Sequence, residues 1–245
     1  NEEVLSYSNF STPHRVIANL SYRLEYARNF ATTFSIFYQG AHRGRISYIY
    51  NGDVNGDGQS SDLMYIPKDA SEIEFVDLKY NDKNTGPETF LATAADQEKA
   101  FFEYVDNDKY LKAHKGKYVE RFGGLQKWVN MIDFKVLQDL WTNFGSNNRY
   151  SLQLSLDILN VGNLLNNSWG CYYTSPSLNY SNQSLLSVAS KGTETAAPTF
   201  TLNVGSADKV AKDQGVAAFK KNAEWNRALE ANNCWSMLLG IRLTF

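Results

Sequence analysis

Cysteine is scarce. Cys171 and Cys234 are the whole complement, which excludes a disulfide-dense scaffold and leaves room for one bridge in an oxidising compartment. Neither sign of charge is in excess, with 24 basic residues against 26 acidic and a formal net charge of -2. Nothing therefore argues for nucleic acid or for a strongly anionic partner. No run of about 18 uninterrupted apolar residues exists, which excludes a membrane-spanning helix but not a strand that spans with alternate residues. Catalytic signatures are missing as well. His14, His42 and His114 lie in separate segments without metal-binding spacing, and neither G-x-S-x-G nor a phosphate-binding loop occurs. No enzymatic activity is expected. A repeat at solenoid spacing is also lacking. Neither an initiator Met nor a signal peptide opens the chain, so Asn1 reads as a processing boundary.

Aromatic residues are what the chain has in quantity: 15 Tyr, 14 Phe and 5 Trp. Mean hydropathy is nevertheless negative, at -0.42. Alternation of period two reconciles these facts, because apolar residues on one face average out against polar residues on the other. In 15–26, Val16, Ala18, Leu20, Tyr22, Leu24 and Tyr26 alternate with Arg15, Asn19, Ser21, Arg23 and Glu25. In 30–39, Phe30, Phe34, Ile36 and Tyr38 share a face. In 130–140, Ile132, Phe134, Val136 and Leu140 oppose Asp133, Lys135 and Asp139. In 150–158, Tyr150, Leu152, Leu154, Leu156 and Ile158 oppose Ser151, Gln153, Ser155 and Asp157. In 235–245, Trp235, Met237, Leu239, Ile241, Leu243 and Phe245 oppose Ser236, Gly240, Arg242 and Thr244. Segments of roughly 10 residues are what a tilted strand needs to cross a hydrocarbon layer.

The connections alternate between short (27–29 and 141–149) and long (40–129 and 159–234). Short turns on one side and long loops on the other is the outer-membrane pattern, and counting back from the C-terminus puts both long loops outside. Aromatics gather near both sets of strand ends: Tyr26, Phe30, Trp141, Tyr150 and Phe245 at one, Tyr38, Trp128 and Trp235 at the other. The predicted fold is all-β: about five membrane-spanning C-terminal strands of a large antiparallel transmembrane β-barrel, forming one domain over 1–245. Its long extracellular loops carry short helices. Five strands are fewer than the roughly eight that close a barrel, so a piece of a larger barrel is expected. The charged residues opposite the apolar face, Arg15, Arg23, Glu25, Asp133, Lys135, Asp157 and Arg242, are expected to pair across strands or to hold a plug. Within the loops, 93–105 reads as a helix with Thr93 as N-cap and Asp96 at the capping-box position. Residues 207–231 read as a weakly amphipathic helix interrupted by Gly215, and 171–204 as hairpins.

Two loop motifs are candidates for binding. In NGDVNGDGQSSD, Asp53, Asn55 and Asp57 fall at positions 1, 3 and 5 of a calcium loop of EF-hand type. Met64 stands where the bidentate Glu belongs, and Asp62 is the substitute acid for a shortened loop. Tight Asn-Gly and Asp-Gly turns explain the same residues without a metal. Lys109, Lys112, Lys115, Lys117 and Arg121, interleaved with Tyr110, Tyr118 and Phe122, form a basic patch for phosphates of ligand or lipopolysaccharide, or a solvated loop. Cys171 and Cys234 fall on the same side of the strands and are candidates for a bridge.

The terminal run LGIRLTF has an aromatic last residue, Phe245, alternating apolar residues and an upstream Gly240, the pattern that barrel-assembly machinery reads; Leu238 stands where a polar residue is usual. With TPHRVIANLSYRL from Thr12, NGDVNGDGQSSDLMYIP from Asn51, HKGKYVERFGG from His114, LDILNVGNLLNNSWG from Leu156 and CWSMLLGIRLTF from Cys234, the chain resembles the C-terminal end of a TonB-dependent outer-membrane receptor of the Oar-like group. The resemblance implies a barrel of about 22 strands around an N-terminal plug. It also implies contact with outer-membrane lipid, recognition by barrel-assembly machinery through the last strand, and a pull from TonB on N-terminal parts absent from this chain. The loops would then capture a nutrient, with oligosaccharide or peptide suiting long aromatic-rich loops better than an iron chelate. The alternative is a soluble cell-surface binding or adhesion module stabilised by calcium.

Overall fold

The computed structural model describes residues 5–80, 88–144, 148–228 and 233–245. The principal strands are β1 (Arg15–Tyr26), β2 (Phe30–His42), β3 (Arg45–Asn51), β4 (Trp128–Phe144), β5 (Asn148–Leu159), β6 (Asn182–Ser190), β7 (Thr199–Leu202) and β8 (Ser236–Thr244). The helices are α1 (Ala94–Asn107), α2 (Lys109–Ala113), α3 (Val161–Leu165) and α4 (Gly215–Ala223). Strands dominate, and the class is all-β. None of the described helices is long and apolar enough to cross a membrane. The chain divides into two compact units. A sheet unit comprises Thr12–Arg43, Lys127–Tyr173 and Arg227–Phe245, and a loop unit comprises Asn1–Ser11, Gly44–Gln126 and Thr174–Asn226.

The sheet unit is a five-stranded antiparallel sheet in the order β1-β2-β4-β5-β8. Its register follows from alternation, because a slip of one residue would move every apolar side chain to the other face. Tyr22 lies opposite Phe34, Phe34 opposite Val136, Val136 opposite Leu156, and Leu156 opposite Leu239. One face is thus apolar across the whole sheet. The other carries Arg23, Thr33, Ser35, Lys135, Asp157 and Arg242. Two of the strands are longer than the alternation indicated: β2 reaches His42, and β4 runs for 17 residues from Trp128. Between β1 and β2 the chain reverses over Ala27 and Arg28, at φ 49° and 60°, and the Asn29 N–H donates to the Ala27 carbonyl at 2.6 Å.

The loop unit has a core of its own. Its sheet runs in the order Glu74–Phe75, β7, β6, β3, Gly124–Leu125. At the centre β3 and β6 are parallel, with Ser47 opposite Asn182, while β6 and β7 are antiparallel. Ile46, Met64, Phe101, Leu185, Leu202 and Phe219 are almost completely buried in one cluster. Helix α1 buries Gln97, Ala100, Phe101 and Val105, a stripe at helical spacing. It starts as its sequence dictates: the Asp96 N–H donates to Thr93 Oγ1 at 3.1 Å, and Thr93 Oγ1 donates to Asp96 Oδ2 at 2.7 Å. Replacing Thr93 with Ala removes the cap and is expected to cost the loop unit about 1 kcal/mol, read as a lower denaturation midpoint with an unchanged slope.

The segment 207–231 departs from expectation. It forms a single 3-10 turn at Ala207–Lys209 and then helix α4, which ends before Glu224; 229–231 lie outside the described residues. Asp213, at φ 60°, breaks the run before the helix starts. Gly215 does not interrupt the helix but opens it, and only glycine fits there without a shift, since a Cβ would stand 2.9 Å from the Leu91 carbonyl oxygen and 3.0 Å from the Ala92 Cβ. The stretch 171–204 does contain hairpins, with Leu178–Asn179 turning back onto β6 and β6 onto β7.

Candidate functional site: a polar sheet face and its end pocket

Charged residues at alternate positions of the sheet unit converge through the register. Arg23 Nη1 reaches Asp139 Oδ2 at 3.0 Å, and its Nε reaches Glu25 Oε1 at 3.1 Å. Gln153 Nε2 donates to the other Asp139 oxygen at 2.7 Å. Lys135 Nζ pairs with Asp157 Oδ1 at 2.9 Å. Asp133 Oδ1 accepts the Asn160 N–H at 2.8 Å, and Arg15 Nη2 donates to Gln39 Oε1 at 3.1 Å. Arg242 lies opposite Gln153 in the next strand. Of the seven charges expected on this face, Arg23, Glu25, Lys135 and Asp157 form ion pairs. The hub, Asp139, was legible only as one more polar residue, since strand register decides which acid meets Arg23. The Arg23–Asp139 pair is half-covered, with side-chain exposures of 47% and 17%. A double-mutant cycle with Arg23→Ala and Asp139→Ala is therefore expected to give a coupling of about 1 kcal/mol that shrinks as salt rises.

At the loop end of this face lies a pocket of about 230 Å³, lined in part by Arg15, Gln39, His42, Arg43, Met131 and Tyr172. The Arg43 guanidinium stacks 4.6 Å over the Tyr172 ring, whose hydroxyl donates to Met131 Sδ at 3.3 Å. Among the described residues no carboxylate lines the pocket, and its chemistry favours groups that accept hydrogen bonds from guanidinium and amide. Arg43 and Tyr172 carried no sequence signal, because both stand outside the alternating segments.

The apolar face is bounded at both ends by aromatic groups with polar handles. At the loop end Tyr38 Oη and Trp128 Nε1 both donate to Asn130 Oδ1, at 2.7 and 2.8 Å, and His42 meets Trp128 edge-on at 5.1 Å. At the turn end Tyr26 stacks on Phe30 at 6.0 Å, and its hydroxyl donates to Gln138 Oε1 at 3.0 Å. Trp141 also lies at the turn end, its backbone N–H donating to the Asn29 carbonyl at 3.0 Å, but opposite Ser151 it falls on the polar face. Between these groups Leu20, Leu239 and Ile241 are 70%, 81% and 79% exposed.

The loop 51–62 satisfies itself. Asp53 accepts the N–H groups of Gly56 at 2.7 Å and Gly58 at 3.1 Å; Asn55 Oδ1 accepts that of Asp57 at 3.0 Å. Asp57 Oδ1 accepts the Gln59 N–H at 2.8 Å, and Asp62 Oδ2 that of Val54 at 3.2 Å. Desolvation pushes the Asp53 carboxyl up, but the N–H groups of Gly58 and Gly56 and the Lys191 ammonium outweigh it and hold its pKa below the ordinary value. Among the described residues no group of three or more His, Cys, Asp or Glu converges in a way that would hold a metal ion.

The basic patch is partly committed to structure. Lys115 pairs with Asp106 at 2.7 Å, and that hydrogen bond lowers the Asp106 pKa. Tyr110 stacks on Tyr48 at 6.0 Å and accepts the Glu120 N–H at 3.0 Å. Tyr118 is exposed, and Arg121 lies 5.3 Å from the Phe122 ring. The two cysteines are not bridged: Cys171 is buried with its Sγ among Asn163 and the Asn167 and Trp169 carbonyls, while Cys234 is exposed. No protein-family model, no curated protein and no solved structure matches the chain.

Proposed function

We propose that this chain belongs to a nutrient receptor of the bacterial outer membrane, of the TonB-dependent kind. The five strands of the sheet unit form part of the barrel wall, and the loop unit takes part in capturing the ligand. One observation carries this reading: an antiparallel sheet whose one face presents apolar residues from every strand, while its other face carries the ion pairs, with Ile17, Phe37 and Leu238 as apolar residues among them. In water such a face would far exceed the few hundred Å² that monomers leave uncovered. Lipid chains cover it without that penalty. The aromatic groups support the same reading. Phe30 and Tyr38 stand eight residues apart, about 27 Å along a strand rising ~3.4 Å per residue, which a tilt of about 40° reduces to roughly 20 Å, close to the apolar band of such barrels. Strands β1 and β8 end the sheet, and in hydrocarbon their outer backbone groups need further strands as partners.

The polar face would then line the interior, with the Arg15–Arg43 pocket at its outer end. Cell fractionation tests the proposal. The protein is expected in the outer-membrane fraction and resistant to alkaline carbonate, with the loop unit cut by protease added to intact cells. A strain lacking it is expected to grow more slowly on peptide or oligosaccharide as sole carbon source. Release into buffer as a compact monomer would sink the membrane reading and favour the soluble module.

A further inference from the structure

Helix α4 separates two different environments. Its buried side holds Phe219 and Ala223 in the core of the loop unit, with Phe219 edge-on to Tyr104 at 5.9 Å. To one flank Lys220 pairs with Glu103 at 3.0 Å, in a surface of mixed charge. The other flank is a cleft of about 470 Å³ between α4 and the chain following β7, walled by Val204, Val210, Ala217 and Ala218. The ionisable residues among the described ones that line it are both lysines, Lys209 and Lys221. Among the described residues neither has a carboxylate in ion-pair distance, whereas Lys220, their neighbour outside the cleft, is paired.

We propose that this cleft binds the C-terminal end of a short hydrophobic peptide. The apolar walls take its side chains, and the two ammonium groups take its terminal carboxylate. The size suits a small ligand of this kind. A carboxylate complements two cations with no competing acid. Ser206 and Gln214 also line the cleft, offering hydrogen-bonding groups that a peptide backbone uses and an alkyl chain does not; the Asn222 amide beside them is already committed to the Asn203 carbonyl at 2.8 Å. The fixed anchoring of α4 through Phe219 keeps the walls preformed, which lowers the entropic cost of binding.

Titration calorimetry on the purified full chain tests this with three probes: N-acetyl-Leu-Ala-Ala with a free carboxylate, the same peptide as its C-terminal amide, and hexanoate. The free acid is expected to bind, and the amide about tenfold more weakly or worse, the scale of a charge-assisted hydrogen bond at a part-exposed site. Lys209→Gln with Lys221→Gln is expected to weaken the acid by a similar factor, while Lys220→Gln leaves it unchanged. Ala217→Trp, which fills an exposed wall, is expected to abolish binding. Three results would overturn the proposal: no binding of the acid, equal binding of acid and amide, or hexanoate bound as tightly as the peptide. Because the readout is binding alone, it stands or falls apart from where the protein resides and from whether it imports nutrients.

Discussion

On the proposed barrel reading, Leu156→Arg is expected to destabilise the sheet unit by about 2–4 kcal/mol, the cost of an Arg at the middle of a strand surface that faces lipid. Leu156 lies opposite Val136 on one side and Leu239 on the other, midway between the two aromatic groups of the apolar face. Among the described residues no acid stands opposite it on its own face, and its charge would have to be drawn toward a distant interface. The comparison is Gln153→Arg, on the polar face of the same strand, where the added guanidinium meets the Asp139 carboxylate but also faces Arg242. The attraction and the repulsion offset one another, and that variant is expected to unfold within about 1 kcal/mol of the parent. Urea unfolding of the protein in liposomes, with heat-shifted gel mobility as the readout, separates the two. If Leu156→Arg were as stable as Gln153→Arg, the apolar face would be facing water, and the barrel proposal would be lost with it.

Phe219→Ala is expected to cost the loop unit about 3–5 kcal/mol, through lost burial and the cavity that remains. The side chain has 0% exposure and is the anchor of α4 against Tyr104. The residues of the two units form separate compact sets, so the loss should be local. Amides of β3 and β6 are expected to exchange with solvent much faster, while those of β4 and β5 keep their protection. Equal loss of protection in both sets would mean that the two units unfold as one cooperative body.

The contrast between these two predictions follows how far each unit could be read in advance. The strands of the sheet unit were legible because alternation over ten or more residues leaves a single register in which Tyr22, Phe34, Val136 and Leu156 share a face. Thr93 was legible for a similarly local reason, since a cap is written within four residues. Strand β3 was not. RISYIYN is buried from Arg45 to Tyr48 on both faces; Ile46, Tyr48 and Tyr50 do alternate with Arg45 and Ser47, but over seven residues inside a long connection that pattern is too short to stand out as a strand. Its parallel pairing with β6 leaves no mark in either segment. Gly215 was misread because a glycine that permits close approach to Leu91 looks, in sequence, like a glycine that ends a helix. In the candidate pocket, Arg43 and Tyr172 come from connections on either side of β4 and β5, and only the folded chain brings them together.

The parallel pair β3–β6 also sets an order of assembly. Asn51 and Ser187, bonded through Asn51 Nδ2 at 3.1 Å, are 136 residues apart, and everything between them, β4 and β5 included, must be synthesised before the central strands of the loop unit can meet. Local hairpins such as β1–β2 face no such delay. Contacts at that separation are slow to form, because chain closure must precede any reward from pairing. The loop unit is thus a late step of folding, and until β6 arrives the edge of β3 stays open to pairing with the wrong strand.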